Sequence, residues 1–138
     1  IKKHIISEND KAETYIQDEK LGFIYQNQVL SRPIYTEIEW SEELNMFHII
    51  KARRQGLANR AGEAVLPCKF SKIKRLSNNK FLVVSNREWR IWGSTSILKT
   101  ESKTDEYTYE EIGYNFSLIT FVFKERGVWQ EQEKIFLK

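Results

Sequence analysis

Lysines and arginines crowd into the middle of this 138-residue chain: Lys51, Arg53, Arg54, Arg60, Lys69, Lys72, Lys74, Arg75, Lys80, Arg87 and Arg90. Only Glu63 and Glu88 stand among them, so residues 51–90 carry a net +9, against −4 for residues 1–50 and −2 for residues 91–138. A positive segment of that density can meet carboxylate or phosphate. The residues expected to bind are Arg53, Arg54, Arg60, Lys69, Lys72, Lys74, Arg75, Arg87 and Arg90, with Trp40 and Trp89 as the aromatic anchors of a protein interface. The competing role for such residues is protective, because edge strands use lysine and arginine to avoid sticking to one another.

No other residues combine into chemistry. His4 and His48 stand 44 positions apart, outside any metal spacing and beside no nucleophile. His48 falls within the β-prone run Met46–Ile50, where a hydrogen-bonded strand side chain is expected. Serines 31, 41, 71, 77 and 85 lack a Gly-x-Ser-x-Gly context, and Cys68, the single cysteine, follows Pro67 in an apolar segment that suits a buried, unreactive thiol. The six glycines are scattered singly, which excludes a glycine-rich phosphate loop. Asp105-Glu106, Glu110-Glu111 and Glu42-Glu43 lack the ligand order of an EF-hand and read as solvated loop charge. No cofactor, no metal and no enzymatic activity are expected.

The elements that must carry the basic segment are short strands. Hydrophobic residues make up 41% of the chain, enough for one core, and the length suits a single domain over 1–138. The longest apolar run, Ser117 to Phe123, falls far short of the ~20 residues of a membrane helix. Tyr15-Ile16, Met46–Ile50, Phe81–Val84 and Leu118–Phe123 are rich in branched and aromatic residues, and each leads into a charged turn (Gln17 to Leu21, Lys51 to Gln55, Ser85 to Trp89, Lys124 to Arg126). The turns deliver the chain to Gly22, Gly56, Arg90 and Gly127, the first three spaced by 34. Pro33 and Pro67 each follow their glycine by 11 residues, and Tyr35/Ile38 and Phe70/Ile73 share an aromatic-x-x-aliphatic spacing. Gly62, after Asn59, marks the strongest hairpin turn. Helical repeats of similar period need long amphipathic stretches, which these runs of four to seven residues do not provide.

The expected fold is therefore all-β: tandem antiparallel hairpin repeats of about 34 residues, in an open array or a partly closed, barrel- or propeller-like one. The repeats fall near 22–55, 56–89 and 90–126, with a partial copy at 127–138. The expected core is Phe23, Ile24, Val29, Ile34, Ile49, Leu57, Val65, Leu66, Ile73, Leu82, Val83, Ile119, Phe121 and Val122. The order Gly-aromatic-Ile, polar turn, Val-Leu, Pro, aromatic-x-x-Ile resembles the WG-repeat (KWG) family of bacterial β-repeat proteins, most closely over 20–38 and 56–73. Copy three, from Arg90-Ile91-Trp92-Gly93, loses the proline and inserts Thr100 to Glu111, and copy four stops after Gly127-Val128-Trp129. The resemblance implies short antiparallel strands that bind or present, without an activity of their own. The function expected is a protein-binding module with an acidic partner; the alternative is nucleic-acid binding through 51–90, within a larger nucleic-acid-processing protein. Open sheet edges would favour an oligomer or a larger parent chain. Ile1 in place of Met leaves room for a removed leader, and the compartment is open, the cytoplasm slightly favoured.

Overall fold

The computed structural model of the chain describes residues 10–77, 80–114 and 116–137; His4 lies outside them. It is all-β, with no helix among the described residues. Four small antiparallel sheets follow one another along the chain, each strand paired with its sequence neighbour, and they do not join into a closed barrel. The first holds β1 (Glu13–Gln17), β2 (Lys20–Tyr25) and β3 (Gln28–Val29); the second β4 (Glu37–Ser41), β5 (Met46–Lys51), β6 (Arg54–Ala58) and β7 (Ala64–Phe70). The third holds β8 (Lys72–Ser77), β9 (Lys80–Ser85), β10 (Glu88–Ile91) and β11 (Lys99–Thr100); the fourth β12 (Glu106–Ile112), β13 (Phe116–Glu125) and β14 (Val128–Leu137). The segment expected to be a charged loop before Glu111 thus contains a strand, β12, whose alternation of Tyr107 and Tyr109 with Glu106, Thr108 and Glu110 is the period-two pattern of a half-buried strand.

Two-residue turns at Asp18-Glu19, Ala52-Arg53 and Asn86-Arg87 close the hairpins β1–β2, β5–β6 and β9–β10, with positive φ at both positions of each. That geometry matches the right-handed twist of the strands it joins. The pairs Tyr15↔Gly22, Ile49↔Gly56 and Val83↔Arg90 then advance by 34 residues at each step. Gly22 and Gly56 are required by close approach. A Cβ on Gly22 would lie 2.8 Å from the Ser31 and Arg32 carbonyl oxygens, and one on Gly56 would lie 2.5 Å from the Leu66 carbonyl oxygen and 2.9 Å from the Cys68 nitrogen. In both cases the chain ahead of, or around, the proline crosses the glycine too closely for any side chain.

The chain divides into two compact units, Ile1–Ile73 and Lys74–Lys138. In the first, Phe23, Tyr35, Phe47, Ile49, Ala12 and Ala58 form a core with Trp40 at its margin. Phe23 and Phe47 meet edge to face at 4.9 Å, as do Trp40 and Phe47. In the second, Leu82, Val84, Trp89, Ile119 and Phe121 form the core, with Tyr107, Tyr109 and Phe123 packed against it. Of the core expected from sequence, Phe23, Ile49, Leu57, Leu66, Leu82, Val83, Ile119 and Phe121 are buried. Ile24, Ile73 and Val122 are half-buried. Val29, Ile34 and Val65 are exposed instead: Val29 and Val65 lie on β3 and β7, the outer strands of their sheets, and Ile34 in the segment between β3 and β4.

Candidate functional site

The β5–β6 hairpin puts the densest positive charge at its tip. Lys51 and Arg54 face each other across the last pair of the ladder, Arg53 occupies the second turn position at φ +63°, and all three are exposed. The end of β7 lies alongside: Gln55 pairs with Phe70, and the Gln55 amide nitrogen donates to the Ser71 carbonyl at 3.0 Å. This brings the exposed Lys69 and Lys72 to the same end of the sheet as Arg53 and Arg54. Among the described residues, Lys51, Arg53, Arg54 and Lys69 form no ion pair. Four like charges therefore share one sheet end without an internal partner. Arg53 sits in the tight turn and Lys51 and Arg54 flank it, so the backbone holds these three close in space.

The rest of the expected surface separates into different environments. Lys74 and Arg75 are exposed further along β8, and Arg87 is exposed at the β9–β10 turn. Arg60 lies at the opposite end of β6 from Arg54, half-buried in the β6–β7 loop, where its carbonyl accepts from the Ala12 N–H at 2.7 Å. Arg90 is half-buried and bonded to Glu88 at 3.3 Å. Trp40 is half-buried at the margin of the first core, with the Lys11 ammonium 4.4 Å from its ring centroid. Trp89, expected as an exposed anchor, is 3% exposed and central to the second core. It pairs with Val84 inside the third sheet, and its indole N–H donates to Asp105 at 2.9 Å. An indole flanked by strands on both sides, with its only polar atom satisfied internally, has nothing to offer a ligand.

Asp105 is itself a correction, since the sequence suggested solvated loop charge. Its carboxylate is 1% exposed and pairs with the Lys99 ammonium, 6% exposed, at 2.6 Å. It also accepts from the Ser102 N–H and the Ser102 hydroxyl, each at 2.7 Å. Burial alone would raise its pKa; the hydrogen bonds from Lys99, Ser102 and Trp89 outweigh that and hold the carboxyl below the ordinary range. Lys99 further donates to the Thr100 carbonyl at 2.8 Å and lies 3.9 Å from the Phe123 ring centroid. A saturated pair of this kind fixes the loop before β12; no proton or lone pair is left over for substrate.

His48 behaves as a strand residue. Its Nε2 lies 2.8 Å from the Gln55 Oε1. Because the Gln55 nitrogen is committed to Ser71, that oxygen must accept, and the His48 Nε2 carries the proton. The two border an open cavity of about 380 Å³ with Glu39, Trp40, Ser41, Leu44 and Ile73. Burial pushes the Cys68 thiol up, the nearby Lys51 opposing, and the sulfur donates to the Ile49 carbonyl at 3.7 Å. Among the described residues no three His, Cys, Asp or Glu side chains gather as metal ligands, and no helix is long and apolar enough to cross a membrane. No protein-family model matches the chain, and neither a curated protein nor a solved structure does.

Proposed function

We propose that this chain is a non-catalytic protein-binding module of tandem β-hairpin repeats that holds an acidic partner on the hairpin-tip cluster Lys51, Arg53, Arg54, Lys69 and Lys72. The observation that carries the reading is that cluster: exposed like charges concentrated at one sheet end by a tight turn. An acidic surface would relieve their repulsion and gain attraction with every contact.

The repeat, and with it the likeness to WG-repeat proteins, is supported by the 34-residue advance of turns and registers and by the matched crowding over Gly22 and Gly56. On this reading the third copy tolerates Arg90 because its fourth strand shrinks to Lys99-Thr100. The fourth copy pairs Phe123 with Gln130 at the corresponding place, so Gly127 belongs to its turn rather than to the anchor position. Nucleic-acid binding loses support because Phe70, Phe81 and Trp89, the aromatics within the basic segment, are all buried and offer no stacking platform.

The test is fluorescence anisotropy of a labelled polyglutamate peptide and of labelled single- and double-stranded DNA and RNA, at ~50 and ~200 mM salt. Peptide binding lost in the Arg53→Glu/Arg54→Glu variant is the expected result. Tighter binding to DNA or RNA with a steep salt slope would replace this reading by the nucleic-acid one, and no binding to any probe would remove both.

A further inference from the structure

The fourth sheet has one face in the core and one in water. Tyr107, Tyr109, Ile119 and Phe121 alternate inward. The outward face is read from the register: Glu106, Val122 and Glu131 form one row, Thr108, Thr120 and Glu133 the next, and Glu110, Leu118 and Ile135 the third. All four glutamates are exposed. Between and beside them lie apolar side chains that a strand facing only water would not carry: Phe116 is 45%, Trp129 58% and Ile135 64% exposed. Against the four glutamates this face sets, among the described residues, one cation, Lys124, opposite Trp129 and 5.9 Å from its ring centroid. An apolar patch set among like charges is the composition of a protein interface, with the apolar part supplying area and the charges selecting the partner.

This acidic face and the basic hairpin tip belong to the same chain and have opposite sign. We infer that the outward face of β12–β14 is the docking surface for the β5–β6 hairpin tip of a second copy of this chain, giving head-to-tail self-association. The inference rests on the reading of the tip as an acid-binding site and names its partner. Charge decides the geometry. Tip against tip would bring Lys51, Arg53 and Arg54 onto their own copies, and face against face would do the same to Glu131 and Glu133; only the unlike pairing is attractive. Pairing two β14 edges about their centre would set Glu131 opposite Glu133 or Glu133 opposite itself, so the glutamates also guard that edge. Because the two surfaces differ, every copy bound through its tip still presents a face, and the contact propagates into a ring or an open chain.

The experiment is sedimentation velocity of the full chain over a range of concentrations at ~50 and ~500 mM salt, where screening of exposed charges differs most. Two variants are compared: a tip reversal (R53E/R54E/K69E) and a face reversal (E106K/E131K/E133K). Wild type is expected to grow with concentration at low salt and to revert to monomer at high salt. Each variant alone stays monomeric. Mixed in equal amounts they assemble again as alternating copies, since the intact tip of one meets the intact face of the other and the reversed tip meets the reversed face. A chain carrying both reversals regains assembly. The milder pairs R53Q/R54Q and E131Q/E133Q, which remove attractive charge without adding a repulsive one, weaken self-association at least ~10-fold. A wild-type chain that is monomeric at every concentration, or two reversals that do not combine, would overturn the inference. If that monomer still binds polyglutamate through Arg53 and Arg54, the acid-binding reading survives and only self-association fails; if it binds none, both fail.

Discussion

Lys99 and Asp105 lie in the interior of the second unit, Lys51, Arg53 and Arg54 at a hairpin tip of the first, and the two sets of charges follow opposite rules. The interior pair touch at 2.6 Å, and between them the carboxylate and ammonium engage Trp89, Ser102, Thr100 and the Phe123 ring. Each bond there offsets a desolvation cost, so the arrangement is complete in itself. At the tip each cation is exposed, and Lys51 and Arg54 face each other across the hairpin. Folding gains nothing from that gathering. Buried charge in this protein serves the fold, and the exposed charge at the tip is not matched within it.

The sharpest way to break this contrast is to remove one member of the interior pair. Asp105→Ala strands Lys99 in the core and leaves the Trp89 N–H and the Ser102 donors without their acceptor; the expected loss is about 3–5 kcal/mol by urea denaturation. Arg54→Ala, a change of equal formal charge, is expected to stay within about 0.5 kcal/mol of the parent. A comparable loss at both positions would mean that the tip has an internal role after all.

The same contrast marks where the sequence was readable. Strand cores such as Phe81–Val84 and Leu118–Phe123 announce themselves by composition, and Gly22 and Gly56 by spacing, because local chemistry dictates them. The hairpin tip was visible for the same reason: Lys51, Arg53 and Arg54 are neighbours in the chain. The burial of Trp89 and Asp105 is not legible in the sequence because their environment is made by residues distant along the chain. Nothing near Trp89 indicates that Phe121 will cover it at 5.6 Å between ring centroids, and nothing near Asp105 indicates that the Trp89 indole will reach it. The acidic outward face is invisible in the sequence because its members, Glu106, Glu131 and Glu133, assemble only through the β12–β13–β14 register.

Gly56 tests whether the tip depends on the packing beneath it. Gly56→Ala drives a methyl to 2.5 Å from the Leu66 oxygen, with backbone on every side, and is expected to cost about 1–3 kcal/mol in chemical denaturation. Binding of acidic peptide should weaken with it, since β7 carries Lys69 and must move away. Retained stability would show that the β6–β7 approach can open freely.

Acid sharpens the interior side of the contrast. The folded protein holds Asp105 below its ordinary pKa, so the stability it contributes is fully present above the unfolded carboxylate range near ~4 and is lost as pH falls through the lower folded value. Urea midpoints of the parent measured from neutral to acid pH should fall more steeply in that window than those of Asp105→Asn, which starts lower and has no such proton to take up. Parallel curves would remove Asp105 from the acid limb.

The smallest expected effect separates fold from function at a single residue. Arg53 takes φ +63° without being glycine or asparagine, in a turn that favours both. Arg53→Gly relieves a left-handed conformation costing an L-residue about 1–2 kcal/mol, and returns part of that through the greater entropy of the unfolded chain; the net gain is about 0.5 kcal/mol. The variant should therefore melt slightly higher while binding polyglutamate less tightly, as differential scanning fluorimetry and anisotropy on one preparation would record. A more stable protein with weaker binding places the arginine there for its charge, held against the preference of the backbone. Unchanged binding would reduce the tip to the surface lysines and arginines that any soluble hairpin carries.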